Sequence, residues 1–225
     1  MPAFLVELTN VSIFSLAPPN AGKPEKLVTD PVVNETGTGV VQVLDSLKTG
    51  DREDLFDLIE KRVREFIPEI EKLSFIPGQE VKQLQVRESA FKESIPVADL
   101  SEGTQLAIII LTILYQVNKP SLICLEEIDR SLHPWLYGRI INLCMEMSDS
   151  KGMPQIIATT HNPYIVDHFK GHEEAVVIVE KKKGETTFET LAERLKRYED
   201  EKGEFEDPLG ELWYGGYVGG IPEAK

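Results

Sequence analysis

The chain has 225 residues, 41% of them hydrophobic, and a formal net charge of −14. This length predicts one domain of moderate size, or a domain with an appendage, and the acidic balance argues against a surface coated with basic residues for nucleic-acid binding. The longest apolar run, Leu106–Leu114, is far shorter than the ~20 residues that span a bilayer. Two cysteines without metal-like spacing and no signal-like start predict a cytoplasmic protein with reduced thiols.

The first 94 residues predict short strands, a loop, helices and a hairpin. Loose alternation over residues 3–16 favours one or two strands, and the Pro-, Gly- and Asn-rich stretch 17–39 favours a loop. A helix can begin at Val40, and helical spacing of apolar residues predicts another over 51–66. Two strands around 72–76 and 82–87, separated by Pro77-Gly78, then predict a hairpin.

The remaining sequence alternates apolar helices with short apolar strands. We expect helices over 103–115, 135–147, 164–169 and 191–198, buried strands over 122–125 and 155–159, and a hairpin of 175–180 with 186–190. The glycine-rich tail from Leu209 is expected to lack regular structure. Alternation of this kind predicts an α/β fold with a largely parallel sheet.

Three segments carry candidate site residues. In Leu100–Gln105, Ser101 can cap the long helix, and the Gly103 backbone with the helix N-terminus can present donors to an anion. A helix cap of Ser and Gly is also common without any ligand. If Glu102 pointed inward its carboxylate would repel that anion, so we expect it to point outward.

The second segment ends an apolar strand on two carboxylates, Glu126 and Glu127. Carboxyl ends of parallel strands form the ligand-binding edge of open α/β sheets, and strand alternation predicts that the two side chains point in different directions. Solvated acids at a strand end would give the same pattern. The third segment, Thr159-Thr-His161-Asn-Pro163, ends another strand at that edge.

In this order the segments resemble the signature motif, Walker B strand and switch histidine of ABC-class ATPases. Glu126-Glu127 followed by Leu132-His133-Pro134 resembles the predicted-ATPase branch of that class, which includes RecF-like repair proteins, overcoming-lysogenization-defect nucleases and phage-defence ATPases. The tail from Leu209 is similar to the ending of these proteins.

The resemblance implies roles for named residues. Glu126 would take the Mg²⁺ side and Glu127 would be the general base, while His161 would sense the γ-phosphate of ATP. The signature residues Ser101, Glu102, Gly103 and Thr104 would contact nucleotide held by an opposite subunit. His133 stands where transporters have Asp, and it is counted as a nucleotide-contact candidate.

A phosphate-binding loop of the Gly-x-x-x-x-Gly-Lys-Ser/Thr type is absent from the 225 residues. The nearest stretch, Ala17–Pro24, has prolines where backbone donors and a hydroxyl are needed. In the resembled family the loop's strand lies beside the strand that precedes His161, so that strand is expected to be an unpaired apolar edge. A separate N-terminal half, a second copy, or a longer natural protein could each cover it.

The sequence therefore predicts three regions: 1–94 as the remainder of an ATPase lobe, 95–190 as the ABC core, and 191–225 as an acidic helix and tail. The implied function is ATP hydrolysis with Mg²⁺ at sites shared in a head-to-tail dimer, completed by a Walker A-bearing half or chain. The output would be control of a nuclease or another DNA-repair or phage-defence effector, with nucleic acid as a possible partner and no membrane. The alternatives are a non-catalytic interaction module and, less favoured, a metal-dependent nuclease using Glu126, Glu127 and Asp129.

Overall fold

The computed structural model describes residues 10–76, 81–182, 184–203 and 206–219. The chain divides into two compact units, Met1–Thr160 and His161–Lys225. The regions predicted at 1–94, 95–190 and 191–225 were drawn from motifs, and they stay a prediction. Residues 3–9 and Pro77-Gly78, which the sequence analysis assigned to a strand and a turn, lie outside the described residues.

A three-stranded parallel sheet lies in the first unit. Its strand order is β1–β6–β7, and the strands are Val11–Phe14 (β1), Leu122–Leu125 (β6) and Gln155–Ala158 (β7). Phe14, Leu125 and Ala158 align at one end, so the residues that follow the three strands emerge at the same edge. This sheet and its interleaved helices confirm the predicted α/β class.

A second, antiparallel sheet lies in the same unit. Its strand order is β2–β4–β3 with β5 beside β4, and the strands are Glu25–Lys26 (β2), Ile70–Ile76 (β3), Val81–Glu88 (β4) and Ser94–Pro96 (β5). The β3–β4 pair is the hairpin predicted from the two apolar runs. Leu73, Leu84 and Val86 are fully buried on it, so the hairpin contributes to the core.

Four helices complete the first unit: Val40–Thr49 (α1), Glu53–Phe66 (α2), Glu102–Tyr115 (α3) and Pro134–Ser148 (α4). Helix α3 is the centre of the unit because almost every residue from Gly103 onward is buried. Helix α2 has one apolar face, with Phe56, Ile59, Val63 and Phe66 buried. Each of the four agrees with a predicted helix, within a residue or two at its ends.

A buried carboxylate ties β2 to helix α1. Glu25 is 8% exposed, and its two oxygens accept hydrogen bonds from the backbone N–H groups of Gly39 (2.5 Å), Val41 (3.0 Å) and Gln42 (3.2 Å). These are N–H groups that a helix cannot satisfy within its own first turn, and the negative charge also suits the positive end of the helix dipole. Glu25 therefore ties the stretch predicted as a loop, residues 17–39, to the start of helix α1.

The second unit is built from a short helix Pro163–Val166 (α5), a hairpin of Val177–Lys182 (β8) with Glu185–Thr190 (β9), and helices Leu191–Lys202 (α6) and Leu209–Tyr214 (α7). The predicted helix over 164–169 is α5 followed by a 3-10 turn, Asp167–Phe169. Its core comprises Val166, Ile178, Leu191, Leu195, Leu209, Leu212 and Val218. A capping box between Thr190 and Glu193 starts α6.

The tail prediction was wrong, because the residues from Leu209 form a helix. Leu209 and Leu212 are buried in the core of the second unit, and the backbone N–H of Gly210 donates to Asp167 Oδ1 at 2.9 Å. A Cβ on Gly210 would lie 2.5 Å from the Pro163 carbonyl oxygen. This glycine permits a close helix contact rather than breaking a helix. Within the described ranges, no helix is long and apolar enough to cross a bilayer.

Candidate functional site

The two adjacent carboxylates follow β6 at the carboxyl edge of the parallel sheet. The Glu126 N–H donates to the Phe14 carbonyl at 2.9 Å, which extends the ladder between β6 and β1 by one residue. The next residue, Glu127, has φ of 48° and leaves the strand in the left-handed conformation. Both side chains are exposed. Both residues lie in a turn after β6 and not within the strand, so the predicted difference in the directions of their side chains stays a prediction.

The turn after Glu127 is held by main-chain bonds and by the end of β7. The Arg130 N–H donates to the Glu127 carbonyl at 2.9 Å, and the Ile128 N–H donates to the Thr159 carbonyl at 3.2 Å. Side chains add a 3.0 Å bond from the Glu127 N–H to Thr159 Oγ1. They also add a 2.7 Å bond from the Thr160 hydroxyl to Asp129 Oδ1. The sequence analysis gave these threonines no role of their own.

The signature segment begins helix α3 as predicted. Ser101 is the N-cap, and its Oγ accepts the Thr104 N–H at 3.2 Å while lying 3.0 Å from the Thr104 hydroxyl. Ser101 and Glu102 are exposed and Thr104 is partly exposed, whereas Gly103 is buried. The N–H groups of Glu102 and Gly103 in the first turn, together with the dipole of α3, suit an anion at this end.

The signature helix packs directly on the turn that follows the two carboxylates. Glu102 Oε2 accepts a hydrogen bond from the Ser131 hydroxyl at 3.0 Å. A Cβ on Gly103 would lie 2.6 Å from the Ser131 carbonyl oxygen, so only glycine fits. Ser131 itself has φ of 61°. Glu102 is thus exposed and its carboxylate is engaged with its own chain, while its expected outward direction stays a prediction.

His133 is the N-cap of helix α4. Its Nδ1 accepts the Trp135 N–H at 3.2 Å, and its side chain is exposed. Trp135 is 47% exposed, and the Arg139 guanidinium lies 4.2 Å from the centre of its ring. The capping contact accounts for the placement of His133, and its nucleotide role stays a prediction.

His161 is the first residue of the second unit, directly after Thr160. Its side chain is exposed, and Asn162 beside it caps α5 by accepting the Tyr164 N–H at 3.0 Å. The role of switch histidine stays a prediction.

One face of the parallel sheet is open. Alternation places Val11, Ile13, Leu122, Cys124 and Ile157 on it, together with Gln155. Ile13 is 55% exposed and Ile157 48% exposed, whereas Phe14, Ile123 and Leu125 on the opposite face are buried. Within the described residues β7 also has no strand on its outer side. The predicted unpaired edge is present, but β7 is exposed where burial was expected. We call these residues and the outer edge of β7 the open face.

A match to a family model shows which protein family the chain belongs to. The model described as "AAA domain, putative AbiEii toxin, Type IV TA system" matches residues 42–167, more than half of the chain. The chain belongs to this AAA-domain family. The match includes Leu100–Gln105, Glu126-Glu127, His133 and Thr159–His161, so the segments singled out in the sequence lie inside the family domain. The expected relation to ATPases is confirmed at this level.

Solved structures give weaker likenesses. One, reported under "Structural biochemistry of ATP-driven dimerization and DNA stimulated activation of SMC ATPases", is 15% identical and has a TM-score of 0.46, covering 68% of this chain and 96% of that one. The Smc head domain of Pyrococcus furiosus with the C-terminal domain of ScpA is 14% identical with a TM-score of 0.48, covering 67% of this chain and 38% of that one. At these scores neither likeness bears on function. A search of curated proteins finds no match.

The donor set of this AAA-family chain would fit Mg²⁺ that also binds waters and nucleotide phosphates. The described residues contain no group of three or more His, Cys, Asp or Glu side chains that could hold a metal. Mg²⁺ is commonly bound through one or two carboxylates together with waters and substrate phosphates. Glu126 and Glu127 offer such carboxylates at the exposed edge. A metal held by these two carboxylates would therefore take its remaining ligands from waters and nucleotide phosphates.

Proposed function

We propose that this chain supplies the signature, Walker B and switch-histidine portion of an ABC-class site that hydrolyses ATP with Mg²⁺. The observation that carries the proposal is one hydrogen-bonded network in the first unit. Glu102 of the signature helix bonds to Ser131, and the turn from Glu127 to Asp129 bonds to Thr159 and Thr160. Three segments far apart in sequence thus meet at the carboxyl edge of one parallel sheet, where ligands bind in α/β proteins.

The roles follow from the chemistry of the side chains. Glu126 would hold Mg²⁺ through its carboxylate, and the charge of the bound metal would offset that of the phosphates. Glu127 accepts the proton of the attacking water, since an exposed carboxylate at this edge is free to meet one. Ser101, Gly103 and Thr104 present the N-terminus of α3 to the phosphates. His161 contacts the γ-phosphate. His133 remains a candidate contact, and Glu102 holds the signature helix on its own turn.

The phosphate-binding loop comes from a segment outside these 225 residues, and the open face supports this. Parallel sheets bury both faces, and exposed apolar edges invite pairing. A Walker A-bearing strand followed by a helix would fit both needs: the strand pairs with β7 and the helix covers Ile13 and Ile157. That segment can belong to a longer form of this chain or to a separate chain. We place two completed units in a head-to-tail dimer that shares the nucleotides.

The setting is defence or repair, in the RecF-like branch of predicted ATPases. The family description names a putative AbiEii toxin of a type IV toxin–antitoxin system, and the phage-defence role is part of our proposal. The effector is a nuclease or another enzyme acting on nucleic acid, and ATP turnover controls its conformation. A non-catalytic interaction module built on the same sheet is the alternative.

The test replaces Glu127 with Gln in an assembly that includes the phosphate-loop segment. Loss of the general base is expected to lower ATP turnover about 100- to 10,000-fold, while nucleotide binding stays. Glu69→Gln is the matched control, because Glu69 is an exposed glutamate distant in sequence from every site segment. Equal turnover in E127Q and wild type would sink the catalytic assignment and leave the interaction module.

A further inference from the structure

Two threonines at the end of β7 hold the turn that carries Glu127. Thr159 uses its side chain and its main chain: Oγ1 accepts the Glu127 N–H at 3.0 Å, and its carbonyl accepts the Ile128 N–H at 3.2 Å. The Thr160 hydroxyl donates to Asp129 Oδ1 at 2.7 Å. Three consecutive residues of the turn are therefore fixed to one dipeptide.

The conformation held in this way is one that glutamate avoids. Glu127 has φ of 48°, which lies in the left-handed region that residues other than glycine rarely adopt. The bond to Thr159 Oγ1 acts on the amide of this same residue and so opposes its return to an extended conformation. In that extended conformation the Glu127 side chain would leave the backbone in another direction.

We propose that Thr159 and Thr160 are positioning residues for ATP hydrolysis: they fix the backbone from which the Glu127 carboxylate reaches the attacking water. The inference rests on the proposed function, because it takes Glu127 as the general base. A base must lie within hydrogen-bond reach of the proton it accepts, and small misplacements cost large factors in rate. Thr160 acts less directly, because its hydroxyl bonds to the Asp129 carboxylate and so holds the turn two residues after Glu127.

The first measurement follows amide hydrogen exchange by NMR in the 225-residue chain, without nucleotide. Thr159→Val keeps the shape and branching of the side chain but removes the acceptor, so exchange of the Glu127 amide is expected to speed up about two- to tenfold. Thr159→Ser keeps the hydroxyl and should exchange like wild type. Thr186→Val is the matched control, a Thr-to-Val change on the exposed strand β9. Unchanged exchange in Thr159→Val would overturn the holding contact.

The second measurement is steady-state ATP hydrolysis by the assembly that includes the phosphate-loop segment. Thr159→Val and Thr160→Val are expected to lower kcat about 10- to 100-fold with KM unchanged. Thr159→Ser and Thr160→Ser, which keep the hydroxyl, should have the kcat of the wild type. Faster amide exchange in Thr159→Val with unaltered kcat would overturn the positioning role. Absence of hydrolysis in the wild-type assembly would instead overturn the proposed function, and the exchange result would still decide whether the threonines hold the turn.

Discussion

Replacing Gly103 with alanine tests the contact between the signature helix and the turn after the two carboxylates. Gly103 is the second residue of α3, and in the absence of a neighbour the change should stabilise the helix. The structure predicts the opposite. A Cβ at this position would lie 2.6 Å from the Ser131 carbonyl oxygen, a backbone atom that cannot rotate away.

The sizes of the opposing effects decide whether Gly103→Ala stabilises or destabilises the chain. Alanine adds at most about 1 kcal/mol of helix propensity over glycine, and less in the first turn. Relieving the overlap requires a backbone shift of the overpacking kind, at about 1–3 kcal/mol. The shift also lengthens the bond from the Ser131 hydroxyl to Glu102, which is worth about 1 kcal/mol. We expect Gly103→Ala to lower the free energy of unfolding by about 1–3 kcal/mol.

The assay is urea unfolding of the wild-type and variant chains, followed by circular dichroism. Glu102→Ala serves as the companion variant, because it removes the hydrogen bond and leaves the space at Gly103 unchanged. Its loss should be at most about 1 kcal/mol, since the bond is exposed. A Gly103→Ala chain that is as stable as wild type, or more so, would refute the close approach of α3 to Ser131.

Two further predictions concern buried groups. Arg194 is 8% exposed and donates to Glu180 Oε2 and to the Val218 carbonyl, both at 2.8 Å. Arg194→Ala should lower the free energy of unfolding of the second unit by about 3–5 kcal/mol, seen as unfolding at lower urea concentration and as protease cleavage near Val218. A variant as resistant to urea and protease as the wild type would contradict this. Burial raises the pKa of the Cys144 thiol to about 12, so at pH 8 a thiol reagent should modify only Cys124 in the folded chain. A bound phosphate-loop segment should protect Cys124 from the reagent. The free energy of unfolding should fall by up to about 4 kcal/mol between pH 9 and 12, because the Cys144 thiol ionises there in the unfolded chain and not in the folded one. The fall should be smaller in Cys144→Ala. The same pH dependence in variant and wild type would contradict the burial of Cys144.

Periodicity was sufficient for most of the fold. Helix α2 shows its apolar face in the sequence, and α3 is apolar throughout because it is buried on all sides. The continuous apolar run of β6 indicated a parallel strand covered on both faces; its pairing with β1 and β7 confirms that it is parallel, but only one of its faces is fully buried. These elements could be predicted because local pattern and burial agree in them.

Tertiary contacts decided the rest. Three apolar residues in a row, Ile156, Ile157 and Ala158, made β7 look buried, but an edge strand depends on neighbours that local sequence does not encode. The left-handed Glu127 depends on Thr159, 32 residues away in the chain. Helix α7 forms despite its glycines because Leu209 and Leu212 find a core. The candidate residues could be listed from motifs, but their mutual bonds could not.

The open face has a consequence for how the chain is made in the cell. An apolar sheet surface beside a free strand edge is what chaperones bind and what aggregates grow from. A polypeptide carrying such a surface is safe only when its cover is present as it folds. If the Walker A-bearing segment that we propose is a separate chain, its synthesis must be matched to that of this chain in amount and in time, because unpartnered copies of this chain expose Ile13 and Ile157.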